Sequence, residues 1–239
     1  MPYRKQQFVN GEIYHIVLRS LDDNLLFKDT NDYYRGIFSV YEFNTIKSVT
    51  IQHRRKVRAQ IKRELDRDPF SISDERDKLV EVLAFCFMPN HIHLLLKQLK
   101  DEGITKFMRK IGAGYGGYFN RKYKRKGYVF QNRFLAVHIK DNDQLKTVFV
   151  YIHTNPISLI EPKWKEKGIK NPEKVTEFLE EYKWSSYQDF IGKKNFPSVT
   201  DRNFISEIMG KEQGCKNFIE NWVRYKGEIK KFPELALES

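Results

Sequence analysis

Phe85-Cys86-Phe87-Met88-Pro89-Asn90-His91-Ile92-His93-Leu94-Leu95-Leu96-Lys97 reads as an apolar strand, a two-residue break at Pro89-Asn90, and a second apolar strand that opens on two histidines. Side chains alternate across a strand, so residues two apart share a face. His91 and His93 therefore project side by side, and Ile92 points to the opposite face, into the core. Two neighbouring neutral imidazoles are a half-site for a divalent metal or a phosphate. A lone histidine in such a strand is most often a hydrogen-bonded core residue, but a pair beside a turn is harder to explain that way. Position 95 is Leu, so any further ligand and any nucleophile must come from elsewhere in the chain.

Working outward, residues 79–87 and 91–99 are apolar almost without interruption, as expected of central antiparallel strands covered on both faces. Upstream, the Asn10-Gly11 turn signal precedes a strand over 12–19, in which His15 reads as structural. Residues 29–68 change to helical spacing, with Tyr33, Tyr34, Ile37, Phe38, Val40 and Tyr41 first, then Ile51, Val57, Ile61 and Leu65. The second of these helical stretches carries His53, Arg54, Arg55, Lys56, Arg58, Lys62 and Arg63, read as a solvated face with nucleic-acid contact as the alternative.

Residues 103–140 contain no Asp or Glu. They hold Lys106, Arg109, Lys110, Arg121, Lys122, Lys124, Arg125, Lys126, Arg133 and Lys140, interleaved with Phe107, Tyr115, Tyr118, Phe119, Tyr123, Tyr128 and Phe130. Cations for phosphates and rings for bases are what a nucleic-acid strand needs. A helix is expected from Asp101-Glu102 to about Lys122 despite Gly112, Gly114, Gly116 and Gly117, which implies a close backbone approach to something. A strand over 134–140 follows. Asp141-Asn142-Asp143 then caps a helix that begins near Gln144 and stops at Asn155, ahead of Pro156. Tyr151 and Asn155 lie one turn apart on that helix, either as a core edge or as a nucleophile and a metal ligand. Residues 197–232 read as a small appended helical piece.

Composition agrees with a nucleic-acid partner. The 239 residues carry 43 Lys+Arg against 31 Asp+Glu, a formal charge of +12, which favours a polyanion. Only Cys86 and Cys215 are present, which excludes a disulfide scaffold or zinc ribbon and suits a reducing cytoplasm. The polar N-terminus and the lack of an apolar run of about 20 residues lead us to expect a cytoplasmic protein with no membrane partner.

Five motifs carry a family resemblance: Met88-Pro89-Asn90-His91-Ile92-His93-Leu94-Leu95, Tyr118-Phe119-Asn120-Arg121-Lys122-Tyr123, Gln131-Asn132-Arg133-Phe134, Tyr151-Ile152-His153-Thr154-Asn155-Pro156 and Trp184-Ser185-Ser186-Tyr187. In this order they resemble the IS200/IS605-type Y1 transposases of the HUH superfamily, most closely the REP-associated tyrosine transposase branch, over residues 8–190. The resemblance implies an α+β, ferredoxin-like or RRM-like fold, an antiparallel sheet with helices on one face, with a catalytic domain over 1–190 and a C-terminal helical extension over 191–239. It implies that His91, His93 and Asn155 hold Mg²⁺ or Mn²⁺, where many members have Gln in place of Asn155. Tyr151 would be the nucleophile. The substrate would be single-stranded DNA with hairpins, contacted by Lys106, Arg109, Lys110, Tyr118, Arg121, Lys122, Tyr123, Lys124, Arg125, Lys126, Gln131, Asn132 and Arg133. The protein would act as a monomer or homodimer. Two readings compete: a catalytically silent nucleic-acid-binding regulator descended from such a transposase, and an RRM-like RNA binder. A third alternative makes Tyr115, Tyr118 or Tyr123 the nucleophile.

Overall fold

The computed structural model describes residues 7–51, 53, 54, 56, 76–131 and 133–225. Most of the basic stretch read as a second helix lies outside these residues, as does Asn132. The Asn10-Gly11 turn leads into β1 (Ile13–Arg19), with Gly11 at φ +84°, a conformation that costs glycine nothing. Helix α1 (Thr30–Phe43) is capped by the Asp29 side chain, which accepts from the Asp32 amide. Strands β2 (Val80–Met88) and β3 (His91–Gln98) flank the Pro89-Asn90 turn. Helix α2 (Gly103–Lys122), strand β4 (Leu135–Ile139) and helix α3 (Asn142–Thr154) follow.

The four strands lie in the order β2-β3-β1-β4, each pair antiparallel. Alternation along them builds two cores. On one face Tyr14, Ile16, Leu18, Phe85, Phe87, Ile92, Leu94 and Leu96 pack beneath α1 and α2. On the other, Ala84, Cys86, Met88 and Leu95 meet Leu145, Val148, Phe149 and Ile152 of α3. The α+β class and the antiparallel sheet are as expected. The expectation of helices on one face is corrected: both faces are covered, because β2 and β3 are apolar on both sides and neither side tolerates water.

The acid-free helix needs its glycines less than expected. A Cβ on Gly114 would come within 2.3 Å of the Phe43 ring atoms of α1, whereas Gly112 has nothing within 4 Å. The close approach at Gly114 is therefore to a neighbouring helix, inside the fold.

Pro156 also acts differently from expectation. Asn155 keeps right-handed helical angles (φ −51°, ψ −40°), and the chain tightens into a 3₁₀ turn over Asn155–Leu159. Proline near the start of that turn lacks only an N–H that would have had no helical partner.

Beyond it come helices α4 (Pro172–Glu181), α5 (Asn203–Met209) and α6 (Lys211–Tyr225). Ile205, Met209, Cys215, Ile219 and Val223 are buried in the same cluster as the inner face of α3. Helices 203–225 thus form the outer layer of the second core. Trp184-Ser185-Ser186 runs along the outer edge of β2: Phe87 N–H donates to Trp184 O (2.8 Å), and Ser186 N–H donates to Phe85 O (3.0 Å). That closes an otherwise exposed sheet edge.

Candidate active site

The register of β1 against β3 pairs Val17 with His93 and Arg19 with His91. Both histidines therefore face the second core, under α3, as the alternation requires. His93 is fully buried, and His91 retains 8% of its surface, at the strand end where a substrate would approach. Their rings meet edge to face with centroids 4.8 Å apart. His91 Nδ1 lies 2.7 Å from Asn90 Oδ1, and His93 Nδ1 lies 3.0 Å from His15 Nε2. In each ring the opposite nitrogen, Nε2, is the atom that would be offered to a metal.

Helix α3 brings Tyr151 against His93. Its direction is set by the Asp141 cap, whose carboxylate accepts from the Gln144 amide at 2.8 Å, and by its buried face of Leu145, Val148, Phe149 and Ile152. The Tyr151 ring stands edge-on to His93 at 5.6 Å and to His15 at 5.7 Å between centroids. Lys165 Nζ lies 5.9 Å from the Tyr151 ring centroid. Asn155 Nδ2 donates to the Tyr151 carbonyl at 3.0 Å, so its amide is fixed one turn below the phenol and Oδ1 is the atom it would offer a cation.

Among the described residues no three His, Cys, Asp or Glu side chains gather as a metal centre. His91 and His93 would offer imidazole nitrogens to a cation, and Asn155 an amide oxygen.

His153, also on α3, turns away from this cluster. Its Nδ1 is 2.9 Å from Phe149 O, and its Nε2 is 2.9 Å from Ser186 Oγ. A carbonyl can only accept, so Nδ1 carries the proton and Ser186 donates to Nε2. Burial pushes the His153 pKa down to about 3, and the imidazole stays neutral. The Trp-Ser-Ser-Tyr motif thus anchors α3 to β2.

The basic, aromatic set divides in two. Arg109, Arg121, Lys124, Lys126, Gln131 and Arg133 are exposed. Of the other described members, most make contacts within the fold, although Lys122 is also exposed. Asp32, fully buried on α1, accepts from Tyr118 Oη (2.8 Å), Tyr123 Oη (2.6 Å) and Lys122 Nζ (2.6 Å). Burial opposes its charge, but the bonds from Lys122, Tyr123, the Lys28 amide and Tyr118 outweigh that and hold its pKa below the usual value. Burial, followed by the Asp32 bond, pushes Tyr123 up to about 12. Burial and then Asp32 also raise Tyr118 and Tyr115. Lys110 donates to Thr45 O and Lys47 O, Lys106 pairs with Glu102 at 3.4 Å, and Arg125 lies over the Phe119 ring.

His15 reads as an isolated core histidine, yet it touches both His93 and Tyr151. Its partner is 78 residues away, and only the pairing of β1 with β3 brings them together.

Residues 45–155 match the family described as transposase, IS200 like. The part of the chain that holds His91, His93, Tyr151 and Asn155 therefore falls within the segment similar to that family. Among solved structures, the chain is similar to a REP-associated tyrosine transposase bound to a REP hairpin (16% identity, TM-score 0.46, 85% of this chain and 96% of that one). It is also similar to a bacterial tRNA(His) guanylyltransferase-like protein in complex with GTP (10% identity, TM-score 0.36, 69% and 77%). A search of curated proteins finds no match. No helix among the described residues is long and apolar enough to cross a membrane.

Proposed function

We propose that the protein is a metal-dependent single-stranded DNA endonuclease and strand transferase acting on hairpin-bearing DNA, as a monomer or homodimer. The observation that carries this reading is the packing of Tyr151 against His93, whose ring also meets that of His91, within the segment that matches the IS200-like transposases.

His91 and His93, through Nε2, and Asn155, through Oδ1, would hold a Mg²⁺ or Mn²⁺ ion. Held there, an ion would supply Lewis-acid stabilisation for the charge that develops on the scissile phosphate. The Tyr151 oxygen attacks phosphorus, forming the tyrosyl–phosphate bond while the bond to the 3′ oxygen breaks. The phenol loses its proton and the departing oxygen gains one, leaving a 5′-phosphotyrosine and a free 3′-OH. Because the adduct is still a phosphodiester, a second 3′-OH can reverse the step without ATP.

Tyr151 suits the role better than its rivals. Tyr118 and Tyr123 donate to Asp32, Tyr115 donates to Leu26 O at 2.6 Å, and all three phenols have raised pKa values. The exposed Arg109, Arg121, Lys124 and Lys126 supply cations for a backbone that a hairpin would present.

The test is a denaturing gel with labelled hairpin oligonucleotides in Mn²⁺ or in EDTA. A slow-migrating covalent adduct that forms only with metal is expected. Tight binding with no adduct on any hairpin would favour the silent regulator.

A further inference from the structure

The two rings of His15 and His93 lie within 15° of parallel, with centroids 5.2 Å apart, yet Nε2 of one is only 3.0 Å from Nδ1 of the other. Rings related in this way lie edge to edge in nearly one plane, the arrangement of an N–H···N hydrogen bond. Such a bond needs one protonated and one unprotonated nitrogen. A metal on His93 Nε2 leaves the proton of the neutral ring at Nδ1, and His15 Nε2 must then accept it.

We infer that His15 is a positioning residue for His93: it accepts the Nδ1 proton, fixes the ring's tautomer and orientation, and so sets metal affinity. This rests on the metal site proposed above. His15 is not a third ligand, because the nitrogen it aims into the cluster is directed at His93. Its burial (0% exposed) and its edge contact with Tyr151 restrain the accepting ring, so the orientation it imposes is held from two sides. Outer partners of this kind typically change metal affinity by about 10–100-fold.

Mn²⁺ binding followed by electron paramagnetic resonance tests this without any reliance on activity. His15→Phe keeps an aromatic ring in the core and removes the acceptor. It should weaken Mn²⁺ binding by about tenfold or more while the protein remains folded. His15→Gln, which restores an acceptor, should recover most of the loss. Parent-like affinity in His15→Phe, or no recovery in His15→Gln, would overturn the assignment. If either variant fails to fold, long-range ¹H–¹⁵N spectra of the unaltered Mg²⁺-loaded protein decide the matter. A proton on His93 Nδ1 and none on His15 Nε2 supports the inference, and the opposite placement refutes it. His93→Ala serves as the reference: parent-like Mn²⁺ binding there would reject the metal site itself, independently of His15.

Discussion

Ser186 Oγ donates to His153 Nε2 at 2.9 Å while accepting from the Phe85 amide at the same distance. One hydroxyl thus fastens the helix that carries Tyr151 to the strand beside the two site histidines. Ser186→Ala leaves both groups buried without that partner, and each such loss costs about 1–3 kcal/mol. We expect a drop in stability of about 2 kcal/mol in urea unfolding, with adduct formation slowed but not abolished. An unchanged midpoint would show that the bridge does not hold α3.

The Asp32 cluster gives a pH dependence. Its carboxyl is held below its ordinary value, so its contribution is complete above the unfolded carboxylate pKa, near 3.9, and is lost as pH falls through the folded value. Asp32→Asn should cost roughly 2 kcal/mol at pH 7, less than a fully buried pair, because Lys122 stays 27% exposed and also bonds Asp29. The gap from the parent should narrow below about pH 4. A gap that persists unchanged into acid would argue against an ionised Asp32.

The division of the basic set predicts two classes of variant. Lys124→Ala with Lys126→Ala removes two exposed cations. It should weaken hairpin binding and flatten its logarithmic salt slope by roughly 1.5, with little change in stability. Lys122→Ala should instead lower stability, through Asp29 and Asp32. Equal effects of the two changes on binding and on stability would contradict the division.

Lys165 holds a cation near the Tyr151 ring, where a phosphotyrosine would carry negative charge. Lys165→Gln should slow adduct formation several-fold, and Lys165→Arg should restore most of it, as expected for one screened, exposed charge. Parent-like rates in Lys165→Gln would remove it from the site.

How far these features can be read from the chain alone follows from how local their causes are. The β2–β3 hairpin was legible because alternation and Pro89-Asn90 define it within thirteen residues. Helix α3 was legible from Asp141 and from the spacing of Leu145, Val148 and Ile152. His15 was not, since its meaning comes from strand order. Nor was Asp32, which turns inward to collect Tyr118, Lys122 and Tyr123. The same contact explains why an acid-free segment overstates its free cations: Lys122 pairs with Asp29 and Asp32, at the start of α1 and far away in sequence. The cover on the second face was half legible, because the apolar pattern of 203–223 marks helices without saying which core they join.

The central claim is that Tyr151 becomes joined to DNA. Peptide mass spectrometry of the adduct formed with a hairpin oligonucleotide in Mn²⁺ addresses it most directly. The account predicts a nucleotide 5′-phosphate on the peptide containing Tyr151, and no adduct from Tyr151→Phe. A nucleotide mass on Tyr115, Tyr118 or Tyr123, or an adduct that survives Tyr151→Phe, would contradict it.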